Sequence, residues 1–565
     1  MSHYGFTILR NNTQDLNFKF SQEKTFRSKS GVNYYFGYHS FRKFHNDKIF
    51  EEDNELIIGI DGVVLNLSSL KNKHAISDQF QLMKHLYYKR KENFASDFKG
   101  EFTGFIFEKK SAFLLFFNNK TATKQCFYSQ VESTFIITPS IKNIIDLKNS
   151  FNYNSSLDFS ACYNMLTFGG MIEDQTLIKG VRKLNAGDYL KLEDEKFSLN
   201  KYFDFNNIEY SISDKKQAIE QLDKTFESAV ELEYQKDQEY NYRHIATLSG
   251  GLDSRFNVML ASRLGYNNET FCFSQSNYLD EKIAKQISDD LYLNFQFIPL
   301  DKGEYLQDLA ENVELNNGLQ FYLSAAHFNF ALKKINLKDF GLVHTGLAGD
   351  GILGGFLSKG DHPDFYSNKI SYKLVDKLEN KLSIERKYKN EEVFKLYQRV
   401  FNVTNFGAYV VEPHQSYLVS PFLDEDVLIT ALSIDPKLKK KQVYLDWLIK
   451  KHPYTTKYKW EKTGFKPNAK YKTELSRYTN KIKKEFWNLT KQQQKLSMTP
   501  EDFWLKSNVE NQNFYNNTFH QKIDRIRTNQ ELFKDLKFVF YQGNINEKAA
   551  VLTILEMVDK FNLKI

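Results

Sequence analysis

Over its first two hundred or so residues the chain alternates apolar and polar positions with a period of two. Glu55–Leu67 (ELIIGIDGVVLNL) and Phe102–Phe117 (FTGFIFEKKSAFLLFF) show it best, with short turns such as Lys109-Lys110 between strands. A period of two predicts strands with one buried face. A single helical pattern interrupts them at Gln79–Lys89. This region therefore predicts stacked antiparallel sheets with few helices. Val181–Leu192 (VRKLNAGDYLKL) predicts a hairpin turning at Asn185-Ala186-Gly187.

Past about Phe205 the period changes. Ile212–Glu233 is apolar at helical spacing. Strand patterns at His244–Leu248, Glu269–Phe273 and Phe295–Leu300 then alternate with helical ones at Ser254–Leu264 and Glu281–Leu291. Such alternation predicts a parallel sheet with helices on both faces. The last third is mostly helical. A boundary near Asn206–Ser213 divides the chain into expected domains 1–205 and 206–565.

Length agrees, since 565 residues are too many for one hydrophobic core. Hydrophobic residues at 41% and charged residues at 26% fit a globular chain rather than a disordered one. The 77 Lys and Arg exceed the 70 Asp and Glu by only seven, and they are spread along the chain. A nucleic-acid footprint would be a concentrated basic stripe, so no nucleic-acid partner is expected. Cys126, Cys162 and Cys272 form no CxxC pair and no metal pattern, which suits a reducing compartment. The start, MSHYGFTILRNN, carries no secretory pattern, and no apolar run is long enough to span a bilayer. The expectation is a cytoplasmic protein with no membrane partner.

The chemistry concentrates after the strand at Arg243–Leu248. Ser249-Gly250-Gly251-Leu252-Asp253-Ser254 follows at once, and Phe256, Met259, Leu260 and Leu264 continue at helical spacing. A glycine-rich turn between strand and helix is an anion site. Backbone N–H groups can approach a phosphate, the serines add hydroxyl donors, and the helix N-terminus favours negative charge. Asp253 makes sense there if magnesium lies between it and the phosphates. A tight turn capped by Ser and Asp is the plainer alternative, but a loop fixed at five of six positions favours phosphate. The segment resembles the pyrophosphate-binding loop of the PP-loop ATP pyrophosphatases.

Three further segments follow. Val343–Gly355 (VHTGLAGDGILGG) has five glycines and one acid, Asp350. It reads alone as a surface loop, and beside Asp253 as a second magnesium ligand. Ser420–Asp424 (SPFLD) opens a helix, and Lys459–Phe465 (KWEKTGF) sets Lys462 among aromatic residues. A lysine so placed could stabilise transition-state charge.

In order and spacing these segments resemble the asparagine synthetase family. SGGLDS, the strand and helix of Thr270–Ser288, TGLAGDGILGG, SPFLDEDV and KWEKTGF match its synthetase half. Gly59–Asn66, Phe98–Lys110 and Gly180–Gly187 are similar to its glutaminase half. The resemblance implies an α/β and α+β chain: an N-terminal Ntn-type stack of antiparallel sheets, then a doubly wound parallel sheet (PP-loop) with a helical C-terminal part. It implies an ATP-dependent ligase that adenylates a carboxylate and passes it to an amine or ammonia, with ATP and Mg2+ as cofactors. It places the nucleotide against Leu248, Ser249, Gly250, Gly251, Asp253, Ser254, Phe273 and Gly346, magnesium on Asp253 and Asp350, and the catalytic role on Lys462. The expected partners are a small-molecule, peptide or sugar carboxylate and an amine donor; a homodimer is permitted.

The sequence also departs from that family. Its glutaminase uses a Cys directly after the initiator Met, and here Ser2 follows Met1. Its oxyanion Asn-Gly reads Asp61-Gly62, and a carboxylate there would repel an oxyanion. The glutaminase centre, with Ser2, Asp61 and Gly62 in its positions, is therefore expected to be inactive. Leu347 and Phe356 replace an acid and a tyrosine of the synthetase half, which predicts a more apolar acceptor pocket. Family members without the Cys include β-lactam synthetases, lasso-peptide cyclases and proteins of polysaccharide pathways. A non-catalytic nucleotide-binding scaffold, asparagine synthesis proper and a PP-loop tRNA-modifying enzyme are the competing readings.

Overall fold

The structure is a computed structural model describing residues 3–11, 26–31, 33–193, 196–358, 364, 369–378, 386–404, 407–440, 442–469 and 497–565; Ser2 lies outside them. Two antiparallel sheets of six strands come first. One has the order β10-β8-β9-β1-β3-β2 and the other β12-β11-β7-β6-β5-β4. The first is built from β1 (Gly5–Asn11), β2 (Phe26–Gly31), β3 (Tyr34–His39), β8 (Phe127–Val131), β9 (Thr134–Thr138) and β10 (Arg182–Lys183). The second is built from β4 (Ile49–Glu52), β5 (Leu56–Val64), β6 (Gly100–Glu108), β7 (Phe113–Asn118), β11 (Asp188–Glu193) and β12 (Lys196–Lys201).

The sheets stack through an aromatic core. Phe6, Phe36 and Tyr38 meet Ile57, Phe105 and Phe107, and the Phe36 and Phe105 rings stack at 4.7 Å. Period two then decides what the outer faces need. On β5 the next residues, Ile58 and Ile60, point away from the inter-sheet core and pack under helix Gln79–Arg90 through Leu82, Met83 and Leu86. On β1, Ile8 faces the inter-sheet core while Leu9 joins a helical layer on the far side. The result is helix, sheet, sheet, helix, the Ntn-type arrangement.

The hairpin expected at Val181–Leu192 does not form. β10 pairs with β8 in the first sheet and β11 pairs with β7 and β12 in the second. The turn residues mark a crossover instead. Leu184 and Leu190 both enter the core between the sheets, so the chain passes from one layer to the other around them.

The third sheet is parallel, in the order β15-β14-β13-β16-β17: Asn294–Pro299, Asn268–Ser274, Arg243–Thr247, Phe340–His344 and Leu418–Val419. Helices cover both faces, with Leu252–Arg263 and Leu279–Asp290 on one side and Ala326–Leu332 and Gly407–Val411 on the other. Helix Lys215–Glu239, capped by Asp214, packs beside the first pair. Strand order turns back at β13, since β14 lies on one side of it and β16 on the other. Open α/β sheets bind ligands at the carboxyl ends of strands flanking such a point. Helices Glu501–Ser507, Val509–Lys522, Gln530–Gln542 and Ile545–Lys560 form most of the helical C-terminal part. No described helix is long and apolar enough to cross a membrane.

Candidate active site

The segments after β13 and β16 meet at this switch point. Ser249-Gly250-Gly251 leaves β13 and enters helix Leu252–Arg263. The loop is tied to itself: the Ser249 N–H donates to Ser254 Oγ at 3.1 Å, the Ser249 and Ser254 hydroxyls lie 3.0 Å apart, and the Gly251 N–H donates to Ser249 Oγ at 3.1 Å. Leu248 buries its side chain beneath the loop with Met259 and Cys272.

The glycine-rich segment after β16 lies directly on this helix start. A Cβ on Gly346 would sit 2.2 Å from the Ser254 nitrogen, and one on Gly349 would sit 2.6 Å from the Asp253 carboxyl carbon. Glycine is required at both by close approach of the two turns. That contact brings the acids together. The Asp350 N–H donates to Asp253 Oδ2 at 2.9 Å, and the Tyr444 hydroxyl donates to Asp253 Oδ1 at 2.6 Å. Burial, then the nearby Asp350 charge, pushes the Asp253 carboxyl up to about 7. Asp253 and the neighbouring Asp350 thus bring hard oxygen donors to one place. This fits magnesium.

Lys462 approaches from the third segment. Its Nζ lies 3.8 Å from Asp350 Oδ2 and 5.6 Å from the Trp460 ring centre, and the side chain is largely exposed. Its loop is anchored on the Ser249–Ser254 turn, because the Glu461 N–H donates to the Gly250 carbonyl at 3.3 Å. Ser420 closes the fourth side by donating to the Leu347 carbonyl at 3.0 Å. Phe273, at the end of β14, and Leu347 both rest half-buried on the apolar cluster under the sheet. Phe356 is buried with its ring beneath Gly351, so it supports the glycine-rich segment from below.

Four residues here carry no role in the sequence reading. Tyr444 fixes Asp253. Buried Arg255 donates to the carbonyls of Gly250 (2.8 Å), Thr455 (3.1 Å) and Lys459 (2.6 Å), locking the Lys462 loop to the turn. Burial holds its guanidinium near 10. Asp280 accepts from the Gly250 N–H at 2.9 Å. Glu461, pushed up to about 7 by burial and then by Asp280, has a buried oxygen without a hydrogen-bond partner. Arg255, directly after the motif, and Asp280, in the acidic pair of Thr270–Ser288, were the visible signals.

The glutaminase-like half is different. Asp61 on β5 is fully buried and accepts from the Tyr38 hydroxyl at 3.0 Å and the Ser40 hydroxyl at 2.6 Å. Its other oxygen pairs with buried Lys124 Nζ at 2.8 Å, and Lys124 pairs in turn with Glu412 at 2.5 Å. Burial pushes the Asp61 carboxyl up, but Lys124 and Lys48 outweigh it and hold it below its ordinary range. Asp61 is thus a neutralised member of an ion network, not an open repulsive charge. Gly62 next to it has a φ of 133°, and a Cβ there would meet the Glu101 carbonyl at 2.0 Å.

Comparison with known proteins agrees with this layout. Residues 45–203 match the glutamine amidotransferase domain family, and residues 221–407 match the asparagine synthase family. A Methanocaldococcus jannaschii protein named as a putative glutamine-hydrolyzing asparagine synthetase, number 2, is 22% identical over 422 residues, covering 72% of this chain and 77% of that one. Two solved structures also match. One is "Structure of the allosteric regulatory enzyme of purine biosynthesis" (TM-score 0.24, 10% identity, 52% of this chain and 75% of that chain). The other is the glutamine phosphoribosylpyrophosphate amidotransferase from B. subtilis with ADP and GMP (TM-score 0.22, 12% identity, 49% and 61%). At those scores neither bears on the argument.

Stacked amidotransferase-like sheets followed by a nucleotide-binding parallel sheet define an amidotransferase-like, ATP-using ligase. The chain belongs to the asparagine synthetase family.

Proposed function

We propose that this chain activates a carboxylate as an acyl-adenylate and transfers the acyl group to an amine or to ammonia, without hydrolysing glutamine. The observation that carries the reading is the convergence of the Ser249–Ser254 turn, the Asp253–Asp350 pair and Lys462 at the switch point of the parallel sheet. The first turn of helix Leu252–Arg263 offers N–H groups, and Ser249 and Ser254 offer hydroxyls, to the phosphates of ATP. Asp253 and Asp350 would hold magnesium, which when bound neutralises phosphate charge and orients the leaving pyrophosphate. A carboxylate oxygen of the substrate attacks the α-phosphorus, and the bond to pyrophosphate breaks. The amine nitrogen then attacks the acyl carbon, AMP leaves, and the nitrogen loses a proton. Lys462, exposed and beside Asp350, is placed to stabilise charge at the reacting acyl group.

Regions 1–205 and 206–565 act together in this reading, the first as a closed wall rather than a glutaminase. The half-buried Leu347 favours an acceptor more apolar than aspartate. The test is the nucleotide product. Turnover with candidate carboxylates and ammonium should yield AMP and pyrophosphate, read by chromatography and by exchange of labelled pyrophosphate into ATP. ADP as the sole product would overturn the adenylating mechanism.

A further inference from the structure

Under helix Lys215–Glu239 lies a constellation that adenylation does not use. Asp237 comes from that helix, His244 from β13 and His344 from β16, and all three are buried. One oxygen, Asp237 Oδ2, lies 3.0 Å from His244 Nδ1 and 2.9 Å from His344 Nε2. The three possible ligand atoms lie within 4.8 Å of one another.

The outer atoms are held as they are behind a metal. Asp237 Oδ1 accepts from the Leu342 N–H at 2.8 Å. His344 Nδ1 faces Glu233 Oε2 at 3.4 Å, and the Tyr234 ring stacks on the His344 ring at 3.8 Å. Gly341 makes room, because a Cβ there would fall 2.0 Å from Asp237 Oδ1. A ligating imidazole whose second nitrogen meets a carboxylate is the usual outer support of a metal centre.

Charge counting points the same way. Two buried carboxylates, Asp237 and Glu233, face two imidazoles, and among the described residues neither carboxylate has a lysine or arginine in ion-pair contact. A protonated His344 between them offsets one carboxylate, and one divalent ion with both imidazoles neutral offsets both. We propose that Asp237, His244 and His344 bind a zinc ion that fixes helix Lys215–Glu239 to the sheet. Two imidazoles and a carboxylate are zinc ligands, and the fourth position is left to water. Tetrahedral bonds of about 2.0 Å separate ligand atoms by roughly 3.3 Å, so the two carboxylate–imidazole spacings need to open by only a few tenths of an ångström. His344 immediately precedes Thr345–Asp350, so the ion would also steady the root of the glycine-rich segment.

The test uses the full chain with any histidine tag removed and Asp253→Asn introduced, so that the active-site acid pair is broken. Elemental analysis should find about one zinc per chain. Removal by a chelator should lower Tm by several degrees, and added zinc should restore it. Cobalt should give the visible bands of a tetrahedral site, weakened or lost in Asp237→Asn and in His244→Gln. If those variants do not fold, X-ray absorption of the cobalt-loaded Asp253→Asn chain decides, with two imidazole ligands expected. A folded, metal-free chain whose Tm ignores zinc and which takes up no cobalt would overturn the proposal. So would cobalt bands unchanged in both variants, or absorption without imidazole.

Discussion

Lys124→Met tests whether the glutaminase-like half is held closed by charge. Lys124 is buried between Asp61 at 2.8 Å and Glu412 at 2.5 Å, and the methionine would keep its bulk but not its charge. Breaking a buried pair from one side costs about 3–5 kcal/mol. Protonation sets a ceiling: neutralising one carboxylate three pH units above its pKa costs about 4 kcal/mol at about 1.4 kcal/mol per unit. Lys48 stays near Asp61 and offsets part of the second carboxylate. The expected loss is therefore about 3–5 kcal/mol, or a fall in Tm on the order of 6–10 °C at 2 °C per kcal/mol. The sign of the pH dependence follows. In the wild type the folded Asp61 pKa lies below its ordinary value, so its contribution is present above that value and is lost only as pH falls. In the variant both carboxyls should titrate above their unfolded values, so the deficit should grow from pH 5 to pH 8. Paired melts at the two pH values measure this, and adding Asp61→Asn and Glu412→Gln should recover much of the loss. Superimposable melts, or an equal deficit at both pH values, would refute the reasoning.

Asp253→Asn and Asp350→Asn should each lower turnover at least about a hundredfold, because a metal clamp is worth several kcal/mol to a charged transition state; a near-normal rate with the fold intact would remove that residue from the site. Lys462→Met should abolish product while ATP still binds, since it acts on charge that develops during reaction. Loss of ATP binding itself, read by calorimetry, would make Lys462 a ground-state phosphate contact. Glutamate release from glutamine should stay at background with or without ATP, because the oxyanion position is occupied by a bonded carboxylate. ATP-stimulated release that vanishes in Ser2→Ala would restore Ser2 as a nucleophile.

The parts of the site legible in the sequence are those built by local chain geometry. SGGLDS declares itself because its glycines and serines serve one turn between one strand and one helix. What fixes that turn was not legible, because it arrives from far along the chain. Tyr444 reaches Asp253 across 191 residues, and Arg255 reaches the Lys459 carbonyl across 204. The reading of Asp61 as a repulsive charge failed in the same way: its neutralisers, Lys124 and Lys48, are brought by other segments. The layers were legible because strand period and helix period differ. The crossover at Val181–Leu192 was not, since Asn185–Gly187 turns the chain equally well into either sheet and only the burial of Leu184 and Leu190 decides.

One long-range contact bears on how the protein is made. Ser156 bridges to Lys564, and the Leu157 N–H donates to the Lys564 carbonyl at 2.9 Å. Around them Leu157, Ala161, Cys162 and Met165 share an apolar cluster with Leu552, Leu555 and Val558. These partners are separated by about 400 residues of translation, roughly 20–80 s at ribosomal speeds of 5–20 residues per second. Through that interval the cluster gains Leu300–Ala326 but still lacks helix Ile545–Lys560, so part of its apolar surface stays open. Expressing region 1–205 by itself should therefore give aggregates rather than a free-standing domain.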